Sequence, residues 1–205
     1  MPAIKGLLDL MRRRLDPVDH DSDTGFRGDG DLNGLPSPSG RKLRHAAVLA
    51  PLILHDGPPR LLFTERASHL LKHPGQISFP GGSLEPGDAG PVEAALREVE
   101  EEIGIGSEHV ELVGRFESYE TGTGFHITPF VGVLRPGYRL RPDPAEVASV
   151  FEAPFDFLMD PLNHQRRSGV WQGQERHFYA MPWEDRYIWG VTAGLLKSLH
   201  DKLYG

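Results

Sequence analysis

The sequence predicts an α/β or α+β sandwich, in which helices cover a sheet. Apolar runs of strand length recur from residue 44 onward, and turns rich in Gly and Pro bound them. Residues 91–103 and 185–203 instead carry apolar side chains at helical spacing. Strands and helices of this kind each have an apolar face to bury, and packing the helices on a sheet buries both faces.

The first 15 residues are predicted to form an amphipathic helix. From residue 4 to residue 15, leucines and one methionine recur at roughly helical spacing, with basic residues between them. We expect this helix to pack on the folded domain or on a second copy of the chain. A homodimer is therefore one expected arrangement, whereas membrane contact is not expected.

The following segment, residues 16–43, is predicted to be a flexible linker. Its composition is dense in Asp, Gly, Ser and Pro, so it can bury little apolar surface to offset the entropy lost on ordering. The chain is thus expected to consist of an N-terminal helix at 1–15, this linker, and one folded domain at 44–205.

The folded domain is predicted to mix strands and helices along the chain. Pro91 suits the first turn of a helix, and Gly104 is well placed to end it. In chain order the predicted elements are strands at 46–54 and 60–66, a helix at 91–103, strands at 110–119 and 125–134, a helix at 146–158, and the closing helix at 185–203.

Charge and composition restrict the class of function. The formal net charge of −7 disfavours nucleic acid as a partner, because an acidic surface repels a polyanion. The absence of cysteine excludes disulfides, thiolate metal sites and a cysteine nucleophile. No apolar run approaches the roughly 20 residues of a membrane span. We expect a cytoplasmic protein that acts on a small molecule, with no nucleic-acid partner and no membrane partner.

The helix at 91–103 gathers acidic side chains. At helical spacing, Glu98, Glu101 and Glu102 fall on one narrow face, while apolar residues fall on roughly the opposite face. Like charges at this spacing repel by a few tenths of a kcal/mol per pair. A divalent cation such as Mg²⁺ relieves the repulsion, since hard cations favour clustered carboxylate oxygens. The alternative, on the helix alone, is a solvated glutamate-rich surface.

This helix resembles the signature helix of the Nudix hydrolases. The fixed positions of that signature are met by Arg97, Glu98, Val99, Glu101, Glu102, Gly104 and Ile105. Upstream, the family has Gly, five residues, then Glu. Here Gly82 is followed after five residues by Asp88, and the spacing from Asp88 to Arg97 is one residue longer than usual.

The Asp in place of Glu and the longer spacing resemble the coenzyme A diphosphatase branch of that family. The branch signature is matched by Leu62-Phe63-Thr64-Glu65-Arg66-Ala67, then Gly75, then Phe79-Pro80-Gly81-Gly82. Phe63 replaces a leucine, and Leu71 stands where a second arginine is expected, with Lys72 beside it. Further segments that look like the family lie at 127–132, 146–154 and 187–193, so the resemblance covers about residues 44–203.

The resemblance implies a Nudix-type α/β/α sandwich with a mixed β-sheet, and it implies a site. Mg²⁺ or Mn²⁺ is expected to be held by Glu98, Glu101, Glu102 and the carbonyl of Gly82. Candidates for the group that removes a proton from water are Glu98, Glu101 and Glu146, while Arg97 is expected to aim the cluster by pairing with Glu93 or Glu101. Substrate contacts are expected from Arg66, Lys72, Gly81 and Gly82, because a guanidinium grips phosphate oxygens and glycine lets backbone approach a ligand.

The resemblance implies that the substrate is coenzyme A, cleaved to 3′,5′-ADP and 4′-phosphopantetheine. One alternative is a Nudix hydrolase of another nucleoside diphosphate compound, such as an oxidised nucleoside triphosphate or ADP-ribose, which Leu71 keeps open. The other is a catalytically silent ligand-sensing module, which the complete set of glutamates in the signature disfavours. In the enzyme, Glu101→Gln or Glu102→Gln is expected to nearly abolish metal-dependent turnover.

Overall fold

The computed structural model describes residues 2–19, 26–34, 43–55, 57–171 and 173–205. Its helices are α1 (Pro2–Arg14), α2 (Asp29–Asn33), α3 (Pro91–Ile103), α4 (Phe155–Met159) and α5 (Val191–Tyr204). None of the helices in these ranges combines the length and the apolar character that crossing a membrane requires.

The strands of the described residues form two sheets. The main sheet contains β1 (Phe26–Gly28), β2 (Arg44–Ile53), β3 (Arg60–Arg66), β4 (Ile77–Ser78), β5 (Gly81–Ser83), β6 (Val110–Arg115), β7 (Ser118–Glu120), β8 (Phe125–Leu134) and β9 (Val147–Pro154). The second sheet contains β10 (Gln165–Trp171), β11 (Gln174–Trp183) and β12 (Arg186–Trp189), in that order.

The main sheet is mixed and is covered on both faces. Strand β2 pairs in parallel with β8 and antiparallel with β3 and β5. On one face, Leu49, Leu62 and Phe130 pack against the apolar side of α3. On the other face, Phe63 and Val131 share a core with α1, α5 and the inner side of the second sheet. The predicted sandwich with a mixed sheet is therefore confirmed.

Several predicted elements are found where the sequence places them. The strand at 60–66, the helix at 91–103 and the strand at 125–134 have the predicted bounds, and β2 covers most of 46–54. The predicted strand at 110–119 is interrupted, because β6 ends at Arg115 and β7 begins at Ser118. A register shift in β6 between Leu112 and Gly114 bends this strand before the interruption.

The prediction of a helix at 146–158 is wrong. Residues Val147–Pro154 form β9, which pairs with the whole length of β3, and only Phe155–Met159 is helical. Pairing with β3 satisfies the backbone of this segment, so tertiary structure overrides the weak helical pattern. This correction matters for the site, because it places Glu146 at the start of a strand beside the end of β3.

The prediction of one closing helix from residue 185 is wrong in its first part. Residues Arg186–Trp189 form β12, and α5 begins at Val191. Gly190 separates the two elements with φ +64°, a left-handed conformation that favours glycine. Strands β10 and β11 were not predicted at all.

The flexible-linker prediction is wrong for residues 26–34. Strand β1 pairs in parallel with β7, and the Asp29 carboxylate at the start of α2 accepts hydrogen bonds from the Tyr119 hydroxyl (2.8 Å) and from the Gly122 N–H (2.7 Å). The Asn33 side chain accepts from the N–H of His177 (2.7 Å) and donates to the carbonyl of the same residue (3.1 Å). This segment therefore joins the two sheets; residues 20–25 and 35–42 lie outside the described ranges.

Candidate active site

Helix α3 carries the acidic side chains across one face of the main sheet. Pro91 occupies its first turn, and Gly104 ends it with φ +72° and an N–H that donates to the Glu100 carbonyl at 2.9 Å. Ala95 and Val99 are among the apolar residues that bury its inner side. The helix is thereby fixed in rotation, so the positions of its glutamates follow from its core packing.

Glu102 is the most deeply buried carboxylate of this helix. Its side chain is only 4% exposed, and one of its oxygens, Oε2, has no hydrogen-bond partner among the described residues. Its pKa is raised to about 8, chiefly by burial and also by the nearby charges of Glu98 and Glu146, while Arg66 and a hydrogen bond from the Gly81 N–H act in the opposite direction. A buried carboxylate with a free oxygen calls for a cation or a proton.

Glu98 lies one helical turn before Glu102 and is largely buried. Burial raises its pKa, and the guanidinium of Arg97 counteracts this effect. Its carboxylate lies directly over Gly82, which pairs with Ala47 in the sheet. A Cβ at Gly82 would overlap the Glu98 carboxylate. The absence of a side chain at Gly82 therefore gives the carboxylate its position against the backbone.

Arg97 connects the helix to the loop that precedes it. Its guanidinium donates to Asp88 Oδ1 (Nε, 3.0 Å), to Glu98 Oε1 (Nη1, 3.1 Å), to Glu101 Oε2 (Nη1, 2.7 Å) and to the Ser83 carbonyl (Nη2, 3.2 Å). The bond to Arg97 and one from the Glu85 N–H hold the pKa of Asp88 below its ordinary value. The expectation that Arg97 aims the cluster remains a proposal, and these contacts support it.

The structure distributes the three predicted glutamates unequally. Glu98 and Glu102 face the sheet, whereas the Glu101 side chain is 60% exposed and bonds to Arg97. Of the two expected partners of Arg97, Glu101 accepts a hydrogen bond from it. Glu93, the other, instead accepts a hydrogen bond from the Ala89 N–H. Asp88 is a partner of Arg97 that the sequence analysis does not predict. Its position was nevertheless unusual in the sequence, because Asp replaces the Glu of the family and the spacing to Arg97 is one residue longer.

Arg66 and Glu146 arrive from neighbouring strands. Arg66 ends β3 and pairs with Val147, and the Ala67 N–H donates to the Glu146 carbonyl at 2.8 Å. A register shift between Glu65 and Arg66 marks the point where the paired strands diverge. The charges of Arg66 and Glu146 both act on the pKa of Glu102: Arg66 lowers it and Glu146 raises it. The fold therefore brings together groups that are far apart in sequence.

Lys72 is not brought into this group. It lies in an exposed loop next to the fully exposed Leu71, and within the described part of the chain it forms no hydrogen bond or ion pair. The loop is attached to the segment before β9 by a hydrogen bond between His69 Nε2 and the Ala145 carbonyl (3.1 Å). A substrate contact by Lys72 stays a prediction.

The residues present fit a hard divalent cation. Within the described ranges, no three Asp, Glu or His side chains are already gathered as a complete metal site. Two carboxylates, Glu98 and Glu102, nevertheless lie beside backbone that glycine leaves open, and Glu102 has an oxygen with no other partner. Carboxylate and carbonyl oxygens are the ligands that Mg²⁺ and Mn²⁺ prefer. Glu101 would join them only by leaving Arg97.

Arg97→Lys is expected to lower kcat about 10- to 100-fold, the usual effect of losing a residue that orients metal ligands. Lysine keeps the charge but lacks the planar fork that reaches four acceptors at once. Steady-state kinetics at saturating Mg²⁺ measures the effect, with Arg60→Lys as control because Arg60 is exposed and pairs with Glu152 at 3.6 Å, at the other end of β3 from Arg66. Equal kcat values for the two variants would contradict an orienting role for Arg97.

Comparisons with known proteins bear on the same region. A family model described as the NUDIX domain matches residues 43–172. A protein of Enterobacter sp. (strain 638) named uncharacterized Nudix hydrolase NudL is 40% identical over 161 residues, covering 76% of this chain and 81% of the relative. A protein of the same name from Photorhabdus laumondii is 38% identical over 172 residues, covering 82% and 91%. Among solved structures, a C. elegans Ap4A hydrolase binary complex superposes with a TM-score of 0.47 and 19% identity over 54% of this chain and 80% of that one.

Proposed function

Because this chain belongs to the Nudix hydrolase family, we propose that it hydrolyses the diphosphate bond of coenzyme A or a close derivative, releasing 3′,5′-ADP and 4′-phosphopantetheine. Nudix hydrolases cleave diphosphate bonds and generally use divalent metal ions. The observation that carries the proposal for this chain is the buried Glu102, whose free oxygen lies in a group with Glu98, Arg66 and Glu146.

The proposed ligands of Mg²⁺ or Mn²⁺ are Glu98, Glu102 and the Gly82 carbonyl, with Glu101 as a further candidate. Such an ion, when bound, neutralises phosphate oxygens and lowers the pKa of a coordinated water. Without this neutralisation, buried carboxylates would repel a diphosphate.

Arg66 is the proposed phosphate-binding side chain. Its guanidinium can grip two phosphate oxygens at once, and its charge lies near Glu102. The backbone around it is held by a hydrogen bond from its N–H to the Gln76 carbonyl (3.0 Å) and by the pairing of β3 with β9. A fixed backbone restricts where the guanidinium can reach, which favours one orientation of the bound diphosphate.

Glu146 is a proposed acceptor of the proton from the attacking water. It is exposed at the start of β9, so solvent can carry the proton away, and its charge acts on both Glu98 and Glu102. Glu98 and Glu101 remain candidates for the same role. Of these three residues, Glu146 is the one outside α3, and moving to carry a proton would not disturb the proposed ligands on the helix.

The coenzyme A assignment is supported by the branch signature between Leu62 and Gly82. In the structure this segment forms β3, β4 and β5, with the Phe63 and Phe79 rings stacked at 4.9 Å between centroids and the Thr64 hydroxyl 3.3 Å from that of Ser78. These contacts shape the strand pair that ends at Arg66. Leu71, at the position of the second arginine, is fully exposed and offers no charge, which keeps another nucleoside diphosphate compound as the second candidate.

A substrate panel tests the proposal. Coenzyme A, acetyl-coenzyme A, ADP-ribose and an oxidised nucleoside triphosphate are each incubated with Mg²⁺ or Mn²⁺, and the products are identified by mass spectrometry. We expect kcat/KM for a coenzyme A compound to exceed the others by about tenfold or more, the size of preference that a few pocket contacts provide. Faster cleavage of ADP-ribose would replace the proposed substrate, and no cleavage of any compound would favour a silent sensing module.

A further inference from the structure

One ion pair outside the carboxylate site joins the second sheet to strand β3. The Arg186 guanidinium, at the start of β12, donates from Nη1 to Glu65 Oε2 and also to Ser149 Oγ at 3.3 Å. The Ser149 hydroxyl in turn donates to the same Glu65 oxygen at 2.8 Å. The Glu65 carboxylate therefore receives two donors, one from the neighbouring strand β9 and one from the second sheet.

Arg186 is held in place by its surroundings as well as by its charge. Its guanidinium lies over the Phe151 ring, with 4.7 Å from Cζ to the ring centroid, and that ring stacks on Trp183 at 6.1 Å between centroids. The side chains of Arg186 and Glu65 are only 27% and 31% exposed, and Arg186 Nε also lies 3.6 Å from the exposed Asp185. A stacked and largely buried guanidinium has little freedom left, so this pair fixes position better than a fully exposed pair does.

Glu65 lies at the irregular point of the pairing between β3 and β9. It is opposite Ser149, whereas Arg66 is opposite Val147, so β9 has one extra residue there. Such a bulge bends a strand and changes the direction of the side chains beside it. The Glu65 side chain contacts the second sheet, while the charge of the next residue, Arg66, acts on Glu102 of α3. Holding Glu65 therefore holds the backbone from which the Arg66 side chain projects.

Strand β4 is held from the same side. Ile77 is opposite Glu65 on β4, and its carbonyl accepts a hydrogen bond at 2.9 Å from the buried hydroxyl of Thr192, in the first turn of α5. The preceding carbonyl, of Gln76, accepts from the Arg66 N–H at 3.0 Å. The two strands that flank the end of β3 are thus both attached to the part of the molecule that lies behind the main sheet.

We propose that Arg186 is a positioning residue for Arg66, the proposed phosphate-binding side chain. Through Glu65 it holds the bulge at the end of β3, and the bulge directs the Arg66 guanidinium to the side of the sheet on which Glu102 lies. A guanidinium meets two phosphate oxygens only at set distances and angles, so a shift of its backbone weakens both bonds. This inference rests on the proposed function, since it names a residue that supports the diphosphate contact of that site.

Binding of methylenediphosphonate with Mg²⁺ tests the proposal without turnover, because CH₂ replaces the bridging oxygen and hydrolysis is blocked. Calorimetry compares the full-length wild type with Arg186→Gln and with Glu65→Gln, which removes the ion pair from its other side. The matched control is Arg60→Gln, because Arg60 begins β3, at the other end from Arg66, and pairs with Glu152 at 3.6 Å. We expect about tenfold weaker binding in both test variants and less than a twofold change in the control, a size usual for coupled residues.

A double-variant cycle separates positioning from a general loss of structure. If Arg186 acts through Arg66, Arg186→Gln should weaken binding by less than about twofold in the Arg66→Gln background. Loss of structure alone would lower the unfolding temperature and leave the affinity of the folded protein at the wild-type value. Wild-type affinity in both Arg186→Gln and Glu65→Gln overturns the proposal, as does the full tenfold loss when the Arg66 guanidinium is already absent.

Kinetics distinguish this proposal from the proposed function. With coenzyme A as substrate, Arg186→Gln should raise KM about tenfold and change kcat by less than about threefold, because a diphosphate contact is present in the ground state and the transition state alike. If coenzyme A is not cleaved while the cycle still couples Arg186 to Arg66, the coenzyme A assignment fails and the positioning role stands. If coenzyme A is cleaved with wild-type KM by Arg186→Gln and Glu65→Gln, the positioning role alone fails.

Discussion

Glu102→Gln is expected to lower metal-dependent kcat about 100- to 1,000-fold, the range seen when one preorganised electrostatic group is lost from a site. Glutamine has nearly the same shape, so the fold is kept, but it replaces an anionic oxygen by a neutral one. Among the described residues, one oxygen of the Glu102 carboxylate has no hydrogen-bond partner, and the substitution removes the negative charge that this oxygen could offer to a cation. The matched control is Glu100→Gln, an exposed glutamate of the same helix, which should keep wild-type activity.

The same substitution should change how stability depends on pH in EDTA. Burial raises the pKa of Glu102 from 4.5 to about 8, so the folded protein binds this proton more tightly than the unfolded chain does. The associated stability is fully present below pH 4.5 and is lost as pH rises toward 8, by an amount on the order of a few kcal/mol. Glutamine does not ionise and avoids this loss.

Thermal unfolding at several pH values measures the difference. We expect the variant and the wild type to unfold at similar temperatures near pH 5, and the variant to be more stable at pH 8 in EDTA. Adding Mn²⁺ should stabilise the wild type and not the variant, because a ligand that binds only the folded state raises its stability. A variant that is still stabilised by Mn²⁺ and still turns over would show that Glu102 is not a metal ligand.

Gly82→Ala is the second change with a large expected effect. The added Cβ would overlap the Glu98 carboxylate, which must then move. Displacing a reacting group by about 1 Å can cost about 100-fold in rate, and we expect a loss of kcat of that size. Gly82 does not have a positive φ, so alanine introduces no backbone strain there. The fold should therefore persist, as circular dichroism can show.

Gly87→Ala is the matched control for this substitution. Gly87 lies five residues later, in the loop between β5 and α3, and a Cβ there meets no atom within 4 Å. Its activity should equal that of the wild type. If Gly82→Ala also keeps full activity, the position of Glu98 against the Gly82 backbone is not required for turnover. Gly81 would be a poor choice, because a Cβ there meets the backbone of Ala47 and Val48, and its φ is +154°.

The parts of the fold that could be predicted are those with a strong local pattern. Helix α3 has a proline in its first turn, an apolar inner side and a glycine after its last residue, and each of these acts within a few residues. Strand β9 has no comparable local signal; its conformation comes from pairing with β3, which lies about 85 residues earlier in the chain. The hairpin of β10 and β11 was missed because most of β10 is exposed, and its side chains do not alternate between apolar and polar.

The candidate site could be predicted in part for a similar reason. Spacing along one helix put Glu98 and Glu102 together, and Arg66 was found through the signature at the end of β3. Side-chain orientation was beyond the sequence. Glu101 pairs with Arg97 at the surface, whereas Glu102 is buried, and only the packing of α3 distinguishes the two. Lys72 was expected to contact the substrate because it stands beside Leu71, at the position of the missing arginine, but its loop is exposed to solvent.

The short segment 26–34 should be kept in any truncated form of the protein. Its strand protects the edge of β7, and the Asn33 amide occupies backbone groups of β11 that β12 does not reach. A chain that lacks only residues 26–34 would keep α1 and every proposed catalytic residue and yet uncover two sheet edges. Uncovered edges recruit other chains. Deleting residues 26–34, which by composition belong to a flexible linker, should thus produce a protein that aggregates although all proposed catalytic residues are present.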